Sequence, residues 1–282
     1  MIYIFGASGF LGRYLYKFLK EHGHHVEPVP RISIGIKKGE WNFEDDLLKK
    51  LKNASTVINC VALTNLLECE DSPNNSLEVN TSFPIRLSKI LEKNVNLIHI
   101  SSDAMYESKN NFSSEEDKLL ISNSYAKHKL EAENCIINHP NTAIIRTSFV
   151  GYNNRNVGMV NYFLDSAKNR EKIVGWNDAY TSSLHISHVS KIISEIISDP
   201  IQGLFNAGTL TPYTKYEFLD CLSKKFNKSI RVASIQSPEN KKLLRNKNLG
   251  MDSSKLFKTI NVNGWRFQDV VEETFIEIKD ML

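Results

Sequence analysis

The sequence predicts an α/β fold, with a doubly wound parallel sheet in the first half of the chain and a smaller α/β lobe in the second. Short apolar runs alternate with segments of helical periodicity up to about residue 150. Several of these runs are continuously apolar, as strands covered on both faces are. A glycine-rich turn follows the first run. The 282 residues, 41% of them hydrophobic, are enough for a sizeable core.

The elements of the first half follow from runs of apolar residues and from apolar residues at helical spacing. The predicted strands are IYIF (2–5), HHVEPV (24–29), STVINCVA (55–62), VNLIHIS (95–101) and TAIIRTS (142–148). The predicted helices are 10–21, 44–52, 75–93 and 123–138. We expect right-handed crossovers between parallel strands.

The pattern changes after residue 150. Helices are predicted at 157–169, 188–198, 214–226 and 267–281, and strands at 203–208 and 231–235. Residues 172–183 are interpreted as loop-rich. This half reads as a smaller lobe that is partly interleaved with the first.

Composition and charge exclude several classes of protein. The net charge of +3 is too small to indicate nucleic-acid binding. No apolar run is long enough to span a bilayer, and the start of the chain does not resemble a signal peptide, so we expect a cytoplasmic protein without a membrane partner. The cysteines are not at metal-ligand spacing, which predicts free thiols and no metal site; they are Cys60, Cys69, Cys135 and Cys221.

The glycine-rich turn GASGFLG (6–12) lies between a predicted strand and a predicted helix. Glycines permit the tight turn and let backbone N–H groups approach a diphosphate at the start of the helix. This context predicts a Rossmann-type dinucleotide site, with a plain glycine turn as the alternative. The predicted cofactor-binding residues of the turn are Gly6, Ser8, Gly9, Phe10, Leu11 and Gly12.

The end of the second strand indicates which dinucleotide is bound. An acidic residue there usually contacts the ribose 2′-hydroxyl of NAD. Here VEPVPRIS (26–33) places Arg31 near the tip, and an arginine suits the 2′-phosphate of NADP. The sequence therefore favours NADP(H). NAD(H) remains open, with Glu27 as its acid if the strand ends earlier.

Polar residues follow the strand at 95–101. Ser102 and Asp103 would emerge at the carboxyl edge of the sheet, where open parallel sheets bind ligands. Tyr125 and Lys129 are four residues apart on one face of the next helix. His99 is interpreted as a core histidine of the strand. On its own, the Tyr–Lys pair is better explained as two unrelated helix residues.

Taken together, these motifs resemble the extended short-chain dehydrogenase/reductase superfamily. They are the glycine turn, NCVA (59–62), Asn80 in EVNTS, Ser102 and Tyr125-x-x-x-Lys129. The resemblance implies that Tyr125 is the general acid, that Lys129 holds the nicotinamide ribose and lowers the pKa of Tyr125, and that Ser102 binds the substrate oxygen. It also implies cofactor contacts from Cys60, Ala62 and Asn80.

Longer segments resemble the dTDP-4-dehydrorhamnose reductases (RmlD-like). They are 57–81, 97–108, 124–133, 144–153, 203–208 and 251–275. This resemblance implies NADPH-dependent reduction of the C4 ketone of a nucleoside-diphosphate 4-keto-6-deoxyhexose, for surface polysaccharide synthesis. It implies an NADP-binding Rossmann domain at 1–150 and a substrate-binding lobe at 151–282. The residues expected to line the sugar pocket are Thr64, Asn65, Phe149 and Thr181.

Asp103 separates the related activities. The 4,6-dehydratases of the superfamily carry a Glu after this Asp, whereas Ala104 follows it here. We therefore favour a reductase over an epimerase or dehydratase. A non-catalytic NADP-binding regulatory subunit, like that of methionine adenosyltransferase, is a further alternative. The sequence leaves open the nucleotide, the sugar and the oligomeric state, with a homodimer as one arrangement.

Overall fold

The structure, a computed structural model, describes residues 1–37, 40–107, 112–226, 230–238 and 242–282. The chain forms two compact units. Unit 1 comprises Met1–Ala104, Ile121–Arg146 and Ser190–Phe205, and unit 2 comprises Met105–Leu120, Thr147–Val189 and Asn206–Leu282. The assignment of cofactor binding to 1–150 and of substrate binding to 151–282 stays a prediction.

The elements alternate along the chain. The α-helices are α1 (Phe10–Glu21), α2 (Asp45–Lys52), α3 (Leu66–Asp71), α4 (Pro73–Leu77), α5 (Phe83–Ile90), α6 (Ser124–Ile136), α7 (Met159–Lys168), α8 (Ile186–Ser198), α9 (Lys215–Phe226), α10 (Ser254–Thr259) and α11 (Phe267–Ile278). The strands are β1 (Ile2–Phe5), β2 (Val26–Pro28), β3 (Ile34–Lys37), β4 (Glu40–Phe43), β5 (Thr56–Asn59), β6 (Asn96–Ser102), β7 (Thr142–Thr147), β8 (Phe149–Val150), β9 (Ile173–Trp176), β10 (Tyr180–Thr181), β11 (Leu184–His185), β12 (Gly203–Ala207), β13 (Tyr213–Thr214), β14 (Val232–Ile235) and β15 (Asn248–Leu249).

The main sheet has six strands in the order β12-β7-β6-β5-β1-β2. The pairs β1–β2, β1–β5 and β5–β6 are parallel. The chain runs outward from β1 to β2 and then returns to β5 on the other side of β1. The strand order therefore reverses between β1 and β5, and ligands of such sheets bind beyond the carboxyl ends of the strands at this point. The predicted doubly wound α/β fold is confirmed.

The core of unit 1 lies on the sheet. All four residues of β1 are buried, since a central strand is covered on both faces. Phe5 packs against Phe43 and Phe83, with ring centroids 6.2 and 5.9 Å apart. Burying three aromatic rings contributes several kcal/mol and fixes β1, the strand that carries the glycine turn.

Unit 2 has its own core between helices α7, α9 and α11. Phe163, Leu219 and Val270 are buried there. β9 and β14 pair in parallel, so the segment predicted as loop-rich contains a strand at Ile173–Trp176. None of the helices in the described part of the chain is long and apolar enough to cross a membrane.

Two local predictions need correction. The single helix predicted at 75–93 is a succession of α4, a π-helical segment (Glu78–Ser82) and α5. The structure also has an antiparallel hairpin of β3 and β4, which was not predicted. The hairpin is followed by α2, and the Trp41 indole donates a hydrogen bond to the Glu78 carbonyl, 3.1 Å away.

Candidate active site

The glycine turn brings β1, β5 and α1 into close contact. Gly6 has a φ of +79°, and a Cβ there would lie 2.8 Å from the Cys60 carbonyl carbon. A Cβ on Gly12 would lie 2.3 Å from the Gly6 carbonyl oxygen. Glycine at these positions therefore lets α1 start against the turn. Its N-cap is Gly9, without a side-chain cap, which fits the approach of an anionic diphosphate to the helix start.

The other predicted residues of the turn occupy different environments. Ser8 is exposed, Phe10 is half-buried and Leu11 is buried. A buried Leu11 side chain leaves only its backbone for the predicted cofactor contact.

The loop after β5 is held by two buried amides. The Asn59 Oδ1 accepts a hydrogen bond from the Val61 N–H at 3.0 Å. The Asn80 side chain accepts from the Leu63 N–H and donates to the Leu63 carbonyl, both at 3.0 Å. Asn80 is thus used to fix the loop backbone. Cys60 and Ala62, also predicted at the cofactor site, are half-buried in this loop.

The carboxyl end of β6 carries Ser102, and Asp103 follows it; both are buried. The Ser102 hydroxyl donates to Asp103 Oδ1 at 3.3 Å and accepts from the Ala104 N–H at 3.2 Å. The strand end therefore presents a hydroxyl whose position is fixed by its own backbone turn.

Tyr125 lies in the first turn of α6. The helix starts there because the Asn123 side chain caps the Ala126 N–H at 2.9 Å. The phenol is buried. Burial raises the pKa of Tyr125 to about 12, and Asp103 acts in the same direction, while the nearby Ser102 hydroxyl opposes them. Tyr125 is therefore a neutral phenol, a proton donor, at neutral pH.

Lys129 lies one turn further along α6 and is 1% exposed. Its Nζ donates to the Ile100 carbonyl at 2.7 Å and lies 3.2 Å from His99 Nε2. Burial lowers the pKa of Lys129 to about 8. The expected lowering of the Tyr125 pKa by Lys129 is not seen in this arrangement, because the Lys129 amine is directed to β6 and burial dominates at Tyr125.

A buried ion pair fixes α6 against the sheet. Arg146 on β7 bonds Glu133 of α6, with Nη2 and Oε2 2.6 Å apart. The Ser101 hydroxyl donates to the other carboxylate oxygen at 2.5 Å. Paired and hydrogen-bonded in this way, the two charges hold the helix that carries Tyr125 and Lys129 in one register.

The tip of β2 is basic. The strand ends at Pro28, and Arg31 is exposed at the start of a 3₁₀ turn, Arg31–Ser33. Glu27 lies inside the strand, where its carboxylate is 3.5 Å from Lys50 Nζ. Arg31 is thus the first charged residue after the strand end, and its contact with the 2′-phosphate of NADP stays a prediction.

The predicted sugar-pocket residues fall in both units. In unit 1, Thr64 and Asn65 are exposed, and Asn65 Oδ1 caps α3 by accepting from the Leu67 and Glu68 N–H groups. In unit 2, Phe149 is half-buried in β8, and Thr181 is buried in β10 with its hydroxyl 2.7 Å from that of Ser183. Their role in a common pocket stays a prediction.

Sequence reasoning missed the polar residues beneath the site. Asn59 and His99 are fully buried on adjacent strands, with Asn59 Nδ2 3.0 Å from His99 Nδ1. His99 was expected in the core, but its contact with Lys129 was not. The sequence did carry a signal for this contact, since Asn59 and His99 are polar residues inside two otherwise apolar predicted strands.

Comparisons with known proteins agree with the predicted family. The profile of the RmlD substrate binding domain family matches residues 1–279. The probable low-salt glycan biosynthesis reductase Agl14 of Haloferax volcanii is 25% identical over 77% of each chain. The dTDP-4-dehydrorhamnose reductase of Mycolicibacterium smegmatis is 29% identical over 53% of this chain and 45% of that protein. Methionine adenosyltransferase 2 subunit beta of Rattus norvegicus is 24% identical over 90% of this chain and 81% of that protein.

Solved structures show the same fold. The dTDP-4-dehydrorhamnose reductase of Bacillus anthracis, in complex with NADP, has a TM-score of 0.85 at 18% identity and covers 98% of both chains. MoeE5 in complex with UDP-glucuronic acid and NAD has a TM-score of 0.78 at 18% identity, covering 100% of this chain and 99% of the other. The predicted assignment to NAD(P)-dependent sugar-nucleotide oxidoreductases is confirmed at the level of the family.

Proposed function

The chain belongs to the RmlD substrate binding domain family, and from this we propose that it reduces the C4 ketone of a nucleoside-diphosphate 4-keto-6-deoxyhexose with NADPH. One observation carries the proposal. The buried phenol of Tyr125 lies close enough to Ser102 for the serine hydroxyl to lower its pKa, and it is one helical turn from Lys129. These are the groups that the reduction of a ketone needs.

The protein's chemical task is to deliver a proton. When bound, the nicotinamide dinucleotide supplies the hydride. Tyr125 donates its proton to the carbonyl oxygen, because a phenol with a pKa of about 12 stays protonated at neutral pH yet is far more acidic than an alcohol. Ser102 orients the same oxygen through its hydroxyl. Asp103, adjacent to both, orders a sugar hydroxyl or the path by which Tyr125 is reprotonated.

NADP(H) is the favoured cofactor. The glycine turn and the uncapped start of α1 would hold the diphosphate, and Lys129 would hold the ribose. Arg31 would contact the 2′-phosphate. The B. anthracis relative that binds NADP supports this choice, and the NAD complex of MoeE5 keeps NAD(H) as the alternative.

The pathway follows from the product class. Reduced deoxyhexoses on nucleoside diphosphates are donors for surface polysaccharides, and the relative Agl14 is a probable glycan biosynthesis reductase. We therefore place the chain in surface glycan synthesis.

A regulatory subunit is the second candidate. The subunit beta of methionine adenosyltransferase matches 90% of the chain, more than the M. smegmatis reductase does. The complete set of Ser102, Tyr125 and Lys129 favours catalysis. Co-purification with a partner protein, without NADPH oxidation by any keto sugar, would favour the regulatory role.

The test is a screen of nucleoside-diphosphate 4-keto-6-deoxyhexoses for loss of NADPH absorbance. We expect one NADPH to be consumed for each sugar reduced. An epimerase or dehydratase would instead convert its substrate with no net consumption of NADPH. Product formation without NADPH loss, or no reaction with any 4-keto sugar, would contradict the proposal.

A further inference from the structure

Three buried side chains form a hydrogen-bonded row beneath the proposed site. Asn59 at the end of β5, His99 in β6 and Lys129 in α6 are each at most 1% exposed. Asn59 Nδ2 lies 3.0 Å from His99 Nδ1, and Lys129 Nζ lies 3.2 Å from His99 Nε2. Because the row is buried, each proton in it has a defined place.

The Val61 backbone fixes the orientation of the amide. The Val61 N–H can only donate, and it does so to Asn59 Oδ1 at 3.0 Å. The Asn59 NH₂ group must then face His99, to which it can only donate. His99 Nδ1 therefore accepts, and a neutral imidazole in this position carries its hydrogen on Nε2.

The hydrogen on His99 Nε2 determines what Lys129 can be. That N–H points at Lys129 Nζ, which must accept it, and only a neutral amine has the necessary lone pair. An ammonium at Lys129 would set two donors against each other at His99. Moving the hydrogen to Nδ1 transfers the conflict to Asn59, and turning the Asn59 amide transfers it to Val61.

The surrounding charges do not reverse this preference. Glu133, on α6, raises the pKa of Lys129, but it is paired with Arg146 of β7. Cys60, after β5, is a neutral thiol at neutral pH because burial raises its pKa to about 12. Tyr125, on the same helix as Lys129, is likewise neutral at neutral pH. Burial, offset in part by Glu133 and Cys60, lowers the pKa of Lys129 to about 8, and the donor conflict in the row lowers it further, toward the uncharged amine at neutral pH.

We propose that Asn59 and His99 are positioning residues that hold Lys129 as a neutral amine. The amine accepts from His99, donates to the Ile100 carbonyl and keeps one N–H for a ligand hydroxyl. That the ligand hydroxyl belongs to the ribose of the dinucleotide rests on the proposed function. The positions of the protons on Asn59, His99 and Lys129 do not depend on the proposed function.

The direct test is the tautomer of His99 at neutral pH. A long-range ¹H–¹⁵N spectrum of the ¹⁵N-labelled protein separates the two tautomers and the imidazolium, and the His99→Gln variant identifies the His99 signals by their loss. We expect a neutral ring with its hydrogen on Nε2. A ring protonated on Nδ1 only, or an imidazolium, would overturn the proposal whether or not the protein is an enzyme.

Asn59→Asp should reverse the direction of the hydrogen bonds along the row. A carboxylate accepts from Nδ1–H, so His99 should switch to the Nδ1–H tautomer and accept from a Lys129 ammonium through Nε2. Retention of the Nε2–H tautomer in a folded variant would show that Asn59 does not set it. If the variant does not fold, the wild-type spectrum still decides.

The catalytic consequence is tested by pH profiles. In His99→Gln, the new side-chain carbonyl can accept a hydrogen bond from a Lys129 ammonium. The pKa of Lys129 in the pH profile of kcat/KM should therefore rise by about one to two pH units. This shift corresponds to the free energy of one unfavourable donor–donor contact that is removed. His128→Gln is the control, since His128 is buried on the same helix but bonds Ser76 at 2.8 Å. If His99→Gln lowers turnover but leaves the pH profile of kcat/KM unchanged, His99 has only a structural role and the proposal is wrong.

Discussion

Replacing Lys129 by methionine should stabilise the protein at neutral pH while removing a residue of the proposed site. Lys129 is 1% exposed, and burial lowers its pKa from 10.5 to about 8. Each pKa unit corresponds to about 1.4 kcal/mol, so the lowered pKa of this amine destabilises the folded state by at least about 3 kcal/mol at neutral pH, relative to a lysine with an ordinary pKa. Methionine also removes the hydrogen bonds of Lys129 to Ile100 and His99, and each loss costs about 1 kcal/mol. The net gain in the free energy of unfolding is therefore at least about 1 kcal/mol.

The gain should depend on pH in a defined direction. The folded pKa of Lys129 lies below the unfolded value, so between about pH 8 and pH 10.5 the unfolded chain binds more protons. The stability contribution of Lys129 in the wild-type protein is therefore regained as pH rises through this window. The advantage of methionine shrinks over the same window and reverses above it, where only the loss of the hydrogen bonds remains.

Urea unfolding of both proteins below and above this window measures the effect. Lys127→Met is the matched control, since Lys127 lies on the same helix with its side chain 65% exposed and 3.9 Å from Glu131. We expect it to change stability by less than about 0.5 kcal/mol at either pH. A destabilised Lys129→Met protein at neutral pH, or a gain that is equal at both pH values, would refute the reasoning.

Three further predictions concern the turn, the strand tip and the ion pair. Gly12→Ala places a methyl group 2.3 Å from a backbone oxygen and should weaken dinucleotide binding at least about tenfold by calorimetry, whereas Gly35→Ala, with open space around it, should not. Arg31→Ala should weaken binding of NADPH about tenfold, because one charged contact is lost, and should leave binding of NADH unchanged. Equal losses of affinity for NADPH and NADH would contradict an NADP site. Glu133→Gln leaves Arg146 buried without its counter-charge and should cost about 3–5 kcal/mol in urea unfolding, and a near-neutral effect would contradict the ion-pair argument.

Helical and strand periodicity predicted the elements that build the main sheet. The predicted helix 10–21 is observed as Phe10–Glu21, and the strand at 2–5 as Ile2–Phe5. The β3–β4 hairpin was missed because neither of its strands, IGIK and EWNF, is a continuous apolar run like those that identified the strands of the main sheet. The π-helical segment at Glu78–Ser82 was missed because apolar spacing does not reveal one extra residue in a turn.

Motif spacing located the groups of the candidate site but not their charge states. Ser102 and Tyr125 were predicted together, and in the structure the Ser102 hydroxyl lies close enough to the phenol to affect its pKa. The directions of the pKa shifts at Tyr125 and Lys129 depend on how deeply each group is buried. The row from Asn59 through His99 to Lys129 depends on which atoms face each other across two strands and a helix. Neither the depth of burial nor the facing of these atoms can be predicted from the spacing of residues in the sequence.

The account is tested most directly by NADPH oxidation with a nucleoside-diphosphate 4-keto-6-deoxyhexose in the wild-type protein and in Tyr125→Phe, measured together with NADPH affinity. Phenylalanine keeps the ring but removes the proton donor. We expect turnover to fall by about 10²–10⁴-fold with NADPH affinity unchanged. Turnover of Tyr125→Phe close to that of the wild-type protein would contradict the assignment of Tyr125 as the proton donor, and with it the proposed mechanism.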